Sequence, residues 1–278
     1  MTGTDQARDP ARTAETSGAQ DGPQIRREGD LRRDGVALLR GAIDPVPLQG
    51  LLSRSQDIFT MLEGMSEEEM KARGVADFRF HGALNLAAVD PELNILGWMH
   101  PMLMPSVSDF LDCEQLGYRN NIARRIYPTR PESSSSFHQD LQFLKPYGGQ
   151  MVTVWITLEA CDGTRPGLEI LPKRLPGLAG RSVGDYLGDS PVFKPYVDHG
   201  PKIAHDSAVA LTEAGVAELA GGQPLWRPQL AVGDILVFDG YTIHRSALAP
   251  GMTQTRTSVE LRCVPHRLAA VAEQGATG

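Results

Sequence analysis

In the segment QMVTVWITL (150–158), Val152, Val154, Ile156 and Leu158 fall on one side of an extended chain. Met151, Thr153, Trp155 and Thr157 fall on the other. The same period of two returns in TRTSVELRCV (255–264), where Thr257, Val259, Leu261 and Cys263 oppose Arg256, Ser258, Glu260 and Arg262. Side chains two apart on a strand share a face. One sheet face is therefore aliphatic and suited to helix packing, while the other is polar and aromatic and suits the wall of a cavity. A mainly β chain follows, in the form of a small antiparallel barrel whose interior is a site.

Other segments fill in this frame. RNNIARRIYP (119–128) and ILVF (235–238) read as further strands, and VALLR (36–40) as a short one. Residues 24–33 read as helical. Asp44-Pro45 opens a helix to about Leu62, and Ser66 with Glu67, Glu68 and Glu69 opens another. A helix is also expected over about 91–112, and a short one at 208–219 within the long loop 172–233. The alternation leaves Asn121 and Arg125 together on one face of 119–128, and they are expected to face the cavity.

Domain organisation follows from composition. Residues 1–24 hold no large aliphatic side chain after Met1 and cannot offset their ordering entropy, so this segment is expected to be disordered. A single domain over 25–265 and a tail over 266–278 complete the chain. The net charge of −7 argues against a nucleic-acid footprint, and no apolar run has transmembrane length. The N-terminus lacks the apolar core of a secretory signal, and Cys113, Cys161 and Cys263 form no disulfide framework. A cytoplasmic protein with reduced thiols and a small-molecule substrate is the expectation; the oligomeric state is unreadable.

The chemistry rests on His138-Gln139-Asp140 and on His244 in GDILVFDGYTIHRS. On an extended strand His138 and Asp140 share a face, and His244 from a distant strand can close a third position. Two imidazoles and a carboxylate on one face of an ion leave about three positions open, as in non-haem Fe(II) oxygenases. A 2-oxo acid fills two of them as a chelate and O₂ the third. The far carboxylate of 2-oxoglutarate needs a cation, preferably a guanidinium. Arg256 lies 12 residues after His244, far enough to turn through Pro250-Gly251 and return on the neighbouring strand. Ser258 shares its face and can donate to the same carboxylate.

These segments together resemble the phytanoyl-CoA dioxygenase family of Fe(II)/2-oxoglutarate oxygenases. The likeness runs over about 28–262, through EGDLRRDGVALLRGAID, FHQD, VWITLEACDGTRPGLEILP and GDILVFDGYTIHRS to Arg256. It implies a double-stranded β-helix (jelly-roll) core with flanking α-helices. It also implies His138, Asp140 and His244 as iron ligands, Arg256 as the 2-oxoglutarate clamp, Ser246 as a co-substrate contact and Trp155 as pocket lining. The stretch Thr164–Glu169 and the residues Leu171-Pro172-Lys173-Arg174 depart from the family pattern near the substrate mouth.

The expected reaction is oxidation, most simply hydroxylation, of a small organic molecule with release of succinate and CO₂. Desaturation, epoxidation and ring formation are open to the same ligands. So are a cupin-type metal enzyme and a binding protein that do not use 2-oxoglutarate.

Overall fold

The structure is a computed structural model and describes residues 26–73, 83–85, 107–130, 134–142, 150–176, 193–195 and 209–268. Eleven strands are found among them. They are β1 (Arg26–Asp30), β2 (Val36–Arg40), β3 (Ala83–Asn85), β4 (Leu116–Ile126), β5 (Val152–Thr157), β6 (Gly167–Arg174), β7 (Phe193–Pro195), β8 (Val209–Leu211), β9 (Ile235–Asp239), β10 (Thr242–Ala247) and β11 (Arg256–Pro265). The helices are α1 (Leu31–Asp34), α2 (Pro45–Glu63), α3 (Glu67–Ala72), α4 (Asp109–Leu111) and α5 (Glu213–Ala220).

Seven strands form a major antiparallel sheet in the order β1-β2-β9-β5-β11-β4-β3. A minor sheet pairs β10 with β6. It is widened by antiparallel bridges from His138 to His244 on one side and from Trp226 to Ile170 on the other. Two sheets face each other around Trp155, Leu236, Phe238, Val36 and Leu38 from one side and Leu168 and Ile170 from the other. This is the jelly-roll core that the family resemblance implies.

Each face of the major sheet has its own occupant. Val152, Val154, Ile156, Val237, Val259 and Leu261 pack against Leu48, Leu51, Ile58, Phe59 and Leu62 of α2 and Met70 of α3. Asp44 accepts from the Val46 amide at 2.9 Å and starts α2, while Ser66 and Glu69 form a reciprocal capping box on α3. Gly233, at φ 97°, lets the chain turn into β9, because a Cβ there would run into the Ile43 carbonyl.

Three local expectations are corrected. Residues 26–30 form strand β1, paired with β2, rather than a helix; the helical part is only the turn Leu31–Asp34, capped by Asp30. β6 lies partly in the stretch read as a loop, because its Leu168 and Ile170 complete the intersheet core. Within the expected helix over 91–112, Asp109–Leu111 is helical, and 91–106 lies outside the described residues. The segments 1–24 and 269–278 also lie outside them.

Candidate metal and co-substrate site

The HxD segment is not a regular strand. His138 forms a bridge with His244 through two backbone bonds, each amide donating to the other residue's carbonyl at 3.0 Å. Asp140 then begins a 3₁₀ turn, Asp140–Gln142, in which the Leu141 amide donates to the Gly240 carbonyl at 3.1 Å. Between the two ligands, the Gln139 side chain donates from its Nε2 to the carbonyls of Leu175 at 3.2 Å and Tyr241 at 2.5 Å. The backbone thus clamps the segment to the start of β10 from both sides.

One ligand atom from each of His138, Asp140 and His244 lies within 4.8 Å of the others, and all three residues are buried. Asp140 Oδ1 is 3.6 Å from His138 Nε2 and 3.8 Å from His244 Nε2. The opposite ring nitrogens face carbonyls: His138 Nδ1 lies 2.7 Å from Ser136 O and His244 Nδ1 lies 3.1 Å from Thr242 O. A carbonyl can only accept, so each Nδ1 carries a proton and Nε2 is the ring nitrogen turned to the cluster.

The electrostatics agree with this assignment. Burial, followed by the neighbouring His138, pushes the His244 imidazole down to about 4, so it is neutral at neutral pH. Burial alone would raise Asp140, but the Arg262 guanidinium and the two imidazoles outweigh it and hold the carboxyl well below its usual range. An anionic carboxylate beside the neutral His244 imidazole, with the His138 Nε2 at the same cluster, is a ligand set for a divalent ion.

Arg256 extends from β11 on the same face of the major sheet. It is fully buried, and none of its three guanidinium nitrogens has a hydrogen-bond partner among the described residues. Its guanidinium carbon lies 5.0 Å from the centroid of the Trp155 ring. Burial lowers it to about 10, which still leaves it charged at neutral pH. The Ser258 hydroxyl and the Trp155 indole nitrogen are likewise buried without hydrogen-bond partners among the described residues. A desolvated cation flanked by idle donors costs several kcal/mol unless an anion joins it. The arrangement fits a ligand carboxylate.

Other expected residues have different surroundings. Ser246 is buried two positions after His244, but its hydroxyl is engaged by Ser135, whose amide donates to it at 3.3 Å. Ser135 in turn accepts from the Ser246 amide at 3.1 Å, so the pair fastens the approach to His138. Arg125 is a correction. It pairs in register with Thr257, on the α2 side of the sheet, with Glu63 Oε1 at 3.6 Å and the Phe59 ring centroid at 5.7 Å. Ile126, not Arg125, is the register partner of Arg256. Asn121 pairs in register with Leu261, and its side chain lies outside the described residues.

Sequence reasoning passed over a charged row beside the ligands. Arg262 Nη2 donates to Asp140 Oδ1 at 3.2 Å and to Glu260 Oε2 at 3.2 Å. Arg124 Nε donates to Glu260 Oε1 at 3.1 Å. These two cations overcome burial and hold Glu260 down to about 2. Parity from Arg256 was the available signal, since Arg256, Ser258, Glu260 and Arg262 share a face.

The phytanoyl-CoA dioxygenase (PhyH) family model matches residues 31–248. The chain belongs to that family. No curated protein matches the sequence. EvdO2 from Micromonospora carbonacea var. aurantiaca is similar in structure, with a TM-score of 0.57 at 18% identity over 84% of this chain and 88% of its own. EctD from S. alaskensis, solved with 2-oxoglutarate and 5-hydroxyectoine, gives 0.55 at 12% identity over 84% and 73%. The epimerase SnoN, solved with Fe3+, alpha ketoglutarate and nogalamycin RO, gives 0.53 at 14% identity over 84% and 80%. At these identities the likeness is one of fold, and it places the PhyH match on a jelly-roll scaffold. No helix among the described residues is long and apolar enough to cross a membrane.

Proposed function

We propose that the protein is an Fe(II)- and 2-oxoglutarate-dependent dioxygenase that hydroxylates a small organic molecule and releases succinate and CO₂. The observation that carries this reading is Arg256. A fully buried guanidinium without a hydrogen-bond partner among the described residues, on the sheet face beside a three-ligand cluster, calls for an acidic co-substrate. A cupin-type metal enzyme or a plain binding protein gives no reason for that charge.

His138, Asp140 and His244 would hold the iron, which with 2-oxoglutarate and O₂ supplies the oxidising power. The rest is positioning by this chain. The Arg256 guanidinium would take the far carboxylate of 2-oxoglutarate, with the Ser258 hydroxyl and the Trp155 N–H as further donors. The Trp155 ring, closing one side of Arg256, keeps water from the charge. Phe238, with its ring centroid 4.5 Å from that of His244, covers the ligand side. Water exclusion matters because it strengthens each of these polar contacts.

Hydroxylation is the simplest outcome for these ligands. SnoN and a further similar structure, the carbocyclase SnoK, show that the scaffold also serves epimerisation and ring closure. Anaerobic addition of Fe(II) and 2-oxoglutarate to the full chain is the test. A weak visible charge-transfer band, lost in Arg256→Ala, is expected; a folded wild-type protein that binds iron and gives no band sinks the proposal. Screening candidate substrates for coupled succinate formation then separates the reaction types.

A further inference from the structure

The Asp140 carboxylate is held by an array of donors built into the register of the major sheet. Arg262 on β11 and Thr153 on β5 are direct cross-strand partners, and both point into the cavity. Thr153 Oγ1 donates to Asp140 Oδ2 at 2.5 Å, and Arg262 Nε lies 3.2 Å from the same oxygen. Arg262 Nη2 reaches the other oxygen, Oδ1, at 3.2 Å. The planar fork therefore spans both carboxylate oxygens, which fixes the plane of the carboxylate as well as its place.

The two oxygens are left unequal. A carboxylate oxygen has two acceptor directions. Oδ2 accepts from Thr153 and has the Arg262 Nε against it as an ion-pair contact. Oδ1 uses one and keeps the other, and Oδ1 is the atom that lies 3.6 and 3.8 Å from the histidine Nε2 atoms. Arg262 is held in turn by Glu260, which Arg124 holds from β4. All four side chains are buried or half-buried, so this chain of contacts is little screened by solvent.

We propose that Arg262 is a positioning residue that presents Asp140 to the metal through Oδ1 alone. A carboxylate free to rotate can bind a cation through both oxygens and so occupy a position that co-substrate or O₂ requires. Glu260 and Arg124 keep the fork aligned. The inference rests on the metal-centre reading above and adds a residue that the ligand set does not include.

Co(II) binding to the metal-free full chain tests it, since the visible spectrum of Co(II) reports coordination number and geometry. Arg262→Lys keeps the charge but loses the fork. It is expected to lower Co(II) affinity about 10- to 100-fold and to change the spectrum, while the metal-free protein melts near the wild-type temperature. Thr153→Val removes the other Oδ2 donor in a near-isosteric way and is expected to change the spectrum in the same direction. It also carries the test if Arg262→Lys fails to fold.

An Arg262→Lys protein with wild-type affinity and spectrum overturns the proposal, since charge alone would then suffice. A loss of affinity with an unchanged spectrum and a lowered melting temperature overturns it too, leaving Arg262 a role in folding only. If wild-type protein binds no Co(II), the metal-centre reading falls together with it. If wild type binds, and His138→Ala does not, failure in the Arg262 and Thr153 variants counts against the positioning role alone.

Discussion

His138 and His244 are antiparallel partners joined by two 3.0 Å backbone bonds, and their rings lie 4.4 Å apart between centroids. The contact is made by main chain, so it does not depend on a bound cation or on either imidazole. Replacing either side chain should therefore remove metal affinity and leave the fold. For His138→Ala and His244→Ala we expect at least about a 100-fold loss of Fe(II) affinity, beyond the usual effect of residues that only support a ligand. Circular dichroism of the metal-free proteins should match wild type; metal content and thermal melts check both halves.

Arg256 should act in opposite directions on stability and on binding. Its buried charge lacks a partner among the described residues, so Arg256→Met is expected to leave the metal-free protein as stable as wild type or about 1–3 kcal/mol more so. The same variant should lose the rise in melting temperature that 2-oxoglutarate gives the metal-loaded wild type. Differential scanning fluorimetry with and without 2-oxoglutarate reads both effects. A 2-oxoglutarate shift equal to that of wild type would contradict the clamp.

Trp155 presents a buried N–H without a partner among the described residues, beside Arg256. Trp155→Phe keeps an aromatic ring and deletes the donor. Loss of one hydrogen bond to a charged ligand should weaken 2-oxoglutarate by about 1.5–3 kcal/mol, with Co(II) affinity unchanged. Isothermal titration of both ligands tests the split.

Ser246 should matter through Ser135 rather than through co-substrate. Because the two serines tie β10 to the approach to His138, Ser246→Ala is expected to cost about 1 kcal/mol of stability. The apparent KM for 2-oxoglutarate should change less than about twofold, well under the effect expected of a lost hydrogen bond to a charged ligand. A large KM effect at wild-type stability would restore a direct contact.

Glu260 makes an acid-sensitive contribution. Its folded pKa is depressed from 4.5 to about 2, so its contribution is fully present above the unfolded value and is lost as pH falls from 4.5 through about 2. The shift corresponds to on the order of 3 kcal/mol at neutral pH. In Glu260→Gln, stability measured by urea unfolding should fall less steeply across this window than in wild type, from a lower starting value.

Much of the architecture was legible because alternation is a local property. Val152, Val154 and Ile156 must share a side of any strand, and burial of that side against α2 follows from their chemistry. The metal ligands were legible because His and Asp two apart, with a later His, are few enough to pair by inspection. Arg125 was misread because parity states which residues share a face and not which face meets the helices. Ile126 lies beside Arg256, while Arg125 finds Glu63 and Phe59 beneath α2.

By itself, then, the sequence determined which residues share a strand face and which His, Asp and His could gather at one point, since each depends on spacing along one chain. Tertiary structure decided that Thr153 meets Arg262 across β5 and β11 and that both converge on Asp140. It also decided that Ser246 binds Ser135, 111 residues away in sequence. These contacts depend on the register between strands, which is set by the packing of the whole core and carries no signal in any single segment.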